Sequence, residues 1–357
     1  MLNFTVGPVM LSDEVMDIGG KQVPYFRTEE FSQIMYENEC FMKKLSGSAE
    51  TDRVVFLTGS GTAAMEASII NTLNENDKAL IVNGGSFGER FVQICSIHKI
   101  PFDEIKIKPG RALTEEMLYA YDNKGYTAFI VNIHETSTGV LYDHNIITSF
   151  CRKNNLFLIV DAISSFLADD INVQKMEIDV MITGSQKALA CPPGISIIVL
   201  SEKAINRIQH TDSKCIYLNL QSALKNGERG QTPFTPAVGT LIQINSRLKS
   251  IILSGGASSE VSRIHRLALD FREKIKGLPL FLFAETPSNA VSALLSPDFS
   301  AQKMFTKLKN EYQIWICPNG GELGETVFRV GHLGALSERD NDILVHALQD
   351  IFNRNLT

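Results

Sequence analysis

The chain has 357 residues, 44% of them hydrophobic and 21% charged, with a formal net charge of −6. That length suits a large core and two domains, and the acidic balance argues against a nucleic-acid surface. No apolar stretch reaches the roughly 20 residues of a transmembrane helix, no basic run marks a membrane patch, and Met1–Pro8 shows neither a charged leader nor an apolar signal core, so a cytoplasmic protein is expected. The six cysteines (Cys40, Cys95, Cys151, Cys191, Cys215 and Cys317) form no C-x-x-C pair and read as reduced, mostly buried thiols. No histidine spacing of the H-E-x-x-H kind is present, so no metal is expected.

Residues 1–15 read as an extended arm with a turn at Gly7-Pro8. Phe31, Ile34, Met35, Phe41, Met42 and Leu45 fall at helical spacing and predict a core-facing helix. Arg53–Leu57 is a strand, and Thr58-Gly59-Ser60-Gly61-Thr62 then opens a helix over 63–70. A Gly-rich turn at a helix N-terminus offers free N–H groups and the positive end of a dipole, which suits an anion. It lacks the endings of a Walker A loop or a dinucleotide fingerprint, and a plain strand-to-helix turn explains it as well. After the strand Lys78–Val82, glycines on both sides of Ser86-Phe87 predict a loop tip presenting an aromatic ring, with core packing as the other reading. The strand Ala128–Ile133 leads into His134-Glu135-Thr136-Ser137-Thr138-Gly139-Val140. Hydroxyls there can bind a ligand or cap a turn, and His134 reads as a structural histidine.

A helix over about 145–153 precedes the run Leu156–Val160, which ends in Asp161. Continuous apolar runs of this kind mark parallel strands covered on both faces, and ligands of open α/β sheets bind beyond the carboxyl ends of such strands. A lone strand-end Asp also serves as a cap or turn residue. The next apolar run, Val180–Thr183, is followed by Gly184-Ser185-Gln186-Lys187-Ala188-Leu189, by Pro192-Pro193-Gly194 and by a further strand, Ile195–Leu200. Lysine is rarely buried unless it is paired or reacted, and a surface-loop lysine beside a proline turn is the other reading of this stretch. A carboxylate at one strand end and a lysine just past another is the pair that pyridoxal phosphate requires: the lysine forms a Schiff base and the Asp keeps the pyridine nitrogen protonated. Cys191, four residues after Lys187, reads chiefly as a small packing residue.

Helix is expected over Glu202–His210, a strand or arm over Cys215–Gln221, a polar loop over Lys225–Gly230 and a long helix over Val238–Leu253. Ser254–Ser259 is the linker candidate. Beyond it, Gln313–Cys317 reads as a strand, and Thr326–Gly331 alternates, placing Arg329 among apolar neighbours. A guanidinium there needs an anion, either a protein carboxylate such as Glu325 or a ligand. The expected fold is α/β: a large domain with a mostly parallel sheet covered by helices, and a smaller C-terminal α+β domain. The expected bounds are an arm over 1–15, a large domain over 16–253 and a small domain over 254–357.

The segment from Asp161-Ala162-Ile163-Ser164-Ser165 through Ser185-Gln186-Lys187 to Pro192-Pro193-Gly194 resembles the class V aminotransferases. The likeness is to the alanine–glyoxylate, serine–pyruvate and 2-aminoethylphosphonate–pyruvate branch, and it runs in order from Gly7-Pro8 to Arg329. The resemblance implies a fold-type-I enzyme with pyridoxal 5'-phosphate on Lys187, which then acts as general base and acid, with Asp161 at the ring nitrogen. It implies that Phe87 supports the ring, that Ser60, Gly61, Thr62 and Gln186 hold the phosphate, and that Thr138 and Ser164 contact the cofactor. Arg329 would bind the substrate carboxylate, with Gly7 at the mouth of the site. Gln231–Ala237, which includes Thr235, resembles a segment that reaches into the neighbouring subunit, implying a homodimer with shared sites. Phe26 stands where the family usually has a histidine, so nothing catalytic is carried onto it. The implied reaction moves an amino group between a small amino acid (alanine or serine type) and a small 2-oxo acid (pyruvate or glyoxylate type). Alternatives are a 2-aminoethylphosphonate–pyruvate or aspartate aminotransferase, a cysteine desulfurase or lyase, and a non-enzymatic cofactor-binding sensor. Desulfurases usually carry histidines where this chain has Gln186 and Phe87.

Overall fold

A computed structural model describes residues 1–297 and 299–354. Its centre is a seven-stranded sheet. From one edge the order is Arg53–Thr58, Ile195–Leu200, Val180–Gly184, Phe157–Asp161, Ala128–Asn132, Ala79–Asn83 and Phe102–Lys106. Phe157–Asp161 and Val180–Gly184 are buried at every residue, because helices cover both faces. Ile195–Leu200 runs antiparallel to both neighbours, and every other pair is parallel. The reversal follows from chain length: Ser185–Gly194 is too short for the crossover of a dozen or more residues that a parallel return needs. The carboxyl ends Thr58, Asn83, Asn132, Asp161 and Gly184 therefore share one side of the sheet.

Two hydrophobic clusters, one containing Leu158 and Val160 and the other Phe157 and Ile159, lie on opposite faces, as the two-residue period of a strand requires. A third surrounds the four-stranded sheet of Phe281–Leu282, Val291–Leu295, Val327–Gly331 and Cys317–Pro318, which packs against the helices Gly256–Lys274, Ala301–Tyr312 and Glu338–Asn353. Phe4 belongs to this third cluster and is fully buried. The N-terminal arm is extended only as far as Ser12, where the helix Asp13–Gly19 begins, and it is not free: Leu2–Asn3 pairs in parallel with Ile314–Trp315. Gly331 N–H then donates to Phe4 O at 2.7 Å. A Cβ at Gly331 would lie 2.5 Å from Thr5 O, so glycine is what lets the arm pass.

Several local expectations change. Phe87 lies in the first turn of the helix Ser86–Ile97, not at a loop tip. Leu220–Gly227 is helical where an arm and a polar loop were expected. There the Asn219 side chain caps Ser222 N–H, while Leu220, Ala223 and Leu224 share a buried face. The Val238–Leu253 helix is followed after only Ser254-Gly255 by the helix Gly256–Lys274. Its buried Glu260, Ile264, Leu267 and Phe271 draw the preceding serines into the helix. The single strand expected over Gln313–Cys317 divides into two short ones, because Ile314–Trp315 pairs with the arm and Cys317–Pro318 with Val327–Gly331. Among the described residues no helix is long and apolar enough to cross a membrane, and no His/Cys/Asp/Glu cluster could hold a metal.

Candidate active site

Asp161 ends its strand 1% exposed. One carboxylate oxygen accepts the Ile163 N–H at 2.8 Å, and among the described residues the other, though near the Asn132 side chain, makes no hydrogen bond of good geometry. Burial pushes its pKa up to about 6, partly offset by the Ile163 N–H and the Asn132 side chain. An orphaned buried carboxylate oxygen costs roughly 1–3 kcal/mol or more. Its chemistry suits a cationic N–H donor.

Lys187 follows the Val180–Gly184 strand in a turn closed by Cys191 N–H to Ser185 O at 2.9 Å and by Ser185 Oγ to Pro192 O at 2.7 Å. Cys191 serves this turn through its backbone and is itself buried. Lys187 Nζ donates to Val6 O at 2.6 Å. Burial pushes its pKa down to about 8, and the Arg329 charge adds to this. A Cβ at Gly7, which has φ +133°, would lie 2.9 Å from Lys187 Cδ, so the Gly7-Pro8 turn is moulded to the lysine stem.

Ser60 is the N-cap of the helix Gly61–Thr72, and its hydroxyl makes no capping bond. The first amides of that helix have no intrahelical acceptor. Gly61 lies against Ile163, two residues past Asp161: a Cβ there would fall 2.2 Å from Ile163 Cδ1. Thr62 Oγ1 accepts from Arg90 at 3.3 Å, and the Arg90 guanidinium sits 4.9 Å from the Phe87 ring centre. Gln186 folds back towards its own strand, where a Cβ at Gly184 would meet its Oε1 at 2.8 Å.

The hairpin formed by His134–Glu135 and Val140–Leu141 joins the remaining parts. Thr136 Oγ1 lies 2.5 Å from Ser164 Oγ, and Thr136 O accepts from Arg329 Nη1 at 3.2 Å. Thr138 hydrogen-bonds back to Glu135 O through both its N–H (3.0 Å) and its hydroxyl (3.3 Å). So Thr136, and not Thr138, is the hydroxyl brought to the Asp161 loop. Among the described residues neither ring nitrogen of the buried His134 makes a hydrogen bond of good geometry, and burial followed by the Lys187 charge pushes its pKa down to about 3 against a smaller opposing contribution from the Ser164 backbone. It is neutral at physiological pH.

Arg329 Nη2 donates to Pro318 O at 3.1 Å and faces Cys317 Sγ at 3.8 Å, while its Nε is buried without a partner. Among the described residues no carboxylate lies within salt-bridge distance of it. Glu325 is engaged elsewhere, accepting from Ser300 Oγ at 2.9 Å. Thr235 is exposed on the Gln231–Pro236 segment and makes none of the hydrogen bonds described above. That segment is anchored by Arg27, which donates to Thr232 O at 2.9 Å and to Pro233 O at 3.2 Å.

Sequence reasoning missed Glu135, Thr136 and Arg90. The Glu-Thr-Ser-Thr-Gly run was the available signal for the first two, but it does not say which hydroxyl faces inward. For Arg90 the signal was its place one helical turn after Phe87.

An acceptor without a donor at Asp161, an amine of lowered pKa at Lys187 and open amides at Gly61 and Thr62 fit the ring nitrogen, aldehyde and phosphate of pyridoxal phosphate. Fold and site together define a fold-type-I pyridoxal-phosphate enzyme. The family model of the class V aminotransferases matches residues 23–322. The chain is 34% identical to an uncharacterized aminotransferase of Methanocaldococcus jannaschii over 94% of its own length and 88% of that protein's. It is 26% identical to the L-aspartate–glyoxylate aminotransferase of Paracoccus denitrificans, over 94% and 87%. The crystal structure of alanine–glyoxylate aminotransferase from Nostoc sp. superposes with a TM-score of 0.93 at 24% identity, over 98% of this chain and 95% of that one. The chain belongs to the class V aminotransferases and is a pyridoxal-phosphate-dependent transaminase.

Proposed function

We propose that this transaminase moves an amino group between a small neutral amino acid of the alanine or serine type and a small 2-oxo acid of the pyruvate or glyoxylate type. The observation that carries the reading is Arg329: a largely buried guanidinium whose partners among the described residues are two carbonyls and a sulfur, with Nε left open. A planar fork of donors suits a carboxylate better than a lysine would. A donor with a second carboxylate needs a second free cation. Arg272, the other buried arginine of this region, is committed to Ser292 Oγ, Ser288 O and Val291 O. The similarity to glyoxylate-using relatives supports the acceptor class.

When bound, pyridoxal phosphate supplies an aldehyde that captures amines and a ring that withdraws electrons. In this reading Lys187 would hold that group and would serve as the base and acid that moves the proton at the substrate Cα. Asp161 would hold the ring nitrogen in its protonated form. Ser60, Gly61, Thr62 and Gln186 hold the phosphate, and Phe87 and Ser164 border the ring. Thr235, exposed in one chain, serves the site of a second copy in a homodimer, and a cytoplasmic location completes the reading.

The test adds amino acids one at a time to the purified protein and follows the visible spectrum of its cofactor. Alanine or serine, followed by glyoxylate or pyruvate, should drive the spectrum through a reversible cycle. Response to aspartate alone, or release of sulfide from cysteine, would replace this reading with one of its alternatives.

A further inference from the structure

We propose that Glu135 is a positioning residue that fixes the ring-supporting Phe87 and the carboxylate-binding Arg329 in one register. The inference rests on the roles given to those two residues above. Glu135 is 1% exposed. One carboxylate oxygen accepts Gly88 N–H at 3.1 Å and Phe87 N–H at 3.3 Å. The other accepts Ser137 Oγ at 2.5 Å and Ser137 N–H at 3.3 Å. Among the described residues no cation pairs with it, so its charge is held by N–H and O–H donors and by the positive end of the Ser86–Ile97 helix dipole.

Helix caps are normally supplied by the residue that begins the helix. Here that residue is Gly85, which has no side chain, and the cap comes from a hairpin far along the sequence. A Cβ at Gly85 would lie 2.6 Å from Glu135 Cδ and 2.5 Å from Ser137 Oγ, so the absence of a side chain is what admits the carboxylate. The same hairpin reaches the other parts of the site. Thr136 O accepts Arg329, Thr136 Oγ1 meets Ser164, and Ser137 O accepts Asn319 Nδ2 at 2.9 Å. Any shift of Glu135 relative to the Ser86–Ile97 helix therefore displaces Phe87 against Arg329. Glu135 makes no hydrogen bond to a guanidinium or a lysine; it holds the site through Phe87, Gly88 and Ser137, while its charge is also felt by Arg329 and Asp161.

The experiment compares wild type, Glu135→Gln and Gly85→Ala. Gln leaves one acceptor oxygen and turns an NH2 towards N–H donors, whereas Gly85→Ala keeps the carboxylate and pushes it aside. The expected result for both variants is a loss of roughly tenfold in the affinity of the apoprotein for pyridoxal phosphate, together with a rise of similar size in KM for the 2-oxo acid. Combining Glu135→Gln with Arg329→Lys should raise KM by less than the product of the single effects. A lowered melting temperature with unchanged cofactor affinity and KM in a folded variant would make Glu135 a plain helix cap and overturn the inference. If Glu135→Gln does not fold, Gly85→Ala decides alone. Failure of the underlying reading is distinct, because it would appear in the Arg329→Lys single variant as an unchanged KM for the 2-oxo acid.

Discussion

Lys187 and Asp161 are shifted in opposite directions by the same cause. Each is buried, and burial favours the neutral form of either group. Lys187 falls to about 8 and Asp161 rises to about 6. A neutral amine is the form that captures an aldehyde, so cofactor uptake by the apoprotein should accelerate as pH rises through about 8, measured by stopped-flow absorbance. A rate that is flat over this range would detach uptake from Lys187. Borohydride reduction and peptide mapping should place the pyridoxyl group on Lys187. Asp161→Ala should fold, bind cofactor more weakly and transaminate on the order of a hundredfold or more slowly, since it removes a charge aimed at a developing one. Arg329→Lys should raise KM for both amino and oxo acid by roughly tenfold, because a point charge replaces a fork, while leaving the cofactor spectrum intact. Loss of the spectrum in that variant would assign Arg329 to the fold.

Between elements, the contact that joins the Asp161 loop to the four-stranded sheet is itself ionisable. Asp169 accepts Ser288 Oγ at 2.6 Å and Asn289 N–H at 2.9 Å, and burial pushes its pKa up to about 6 from an ordinary 3.8 despite these bonds and the nearby Arg272. Its folded pKa lies above its unfolded one. Its contribution to stability is therefore fully present below about 3.8 and is lost as pH rises through about 6. Asp169→Asn should then flatten the pH dependence of the apoprotein's urea midpoint between pH 4 and 6 relative to wild type. An identical slope in the two proteins would mean that Asp169 titrates normally. The Ser86–Ile97 helix makes a related point. Its sequence supplies no side-chain cap at Gly85, and only the Glu135 hairpin completes it.

For the molecule as a whole, exposed Ile216, Tyr217 and Phe234 lie close to exposed Thr235, and Tyr217 stacks on Phe234 at 5.5 Å. Apolar rings grouped beside a segment expected to cross between subunits predict a dimer. Sedimentation should give twice the chain mass. A monomer with full cofactor occupancy would remove Thr235 from the site.

Local pattern carried the strands, the helix starts and the pair of chemical residues. Apolar runs ending in Asp161 and before Lys187 announced strands buried on both faces, the Ser60–Thr62 turn announced a helix N-terminus, and Val238–Leu253 announced its own helix. The chemistry followed because a strand-end carboxylate and a loop lysine are rare and recognisable together. Only the tertiary structure decided which way Ile195–Leu200 runs, that the N-terminal arm pairs with Ile314–Trp315, and that Thr136 rather than Thr138 meets Ser164. Among the described residues it also leaves Arg329 without a carboxylate partner, Glu325 being bound to Ser300. These are pairings between residues far apart in the chain. Neither propensity nor period carries information about them, because their energies arise only when burial removes water from both partners.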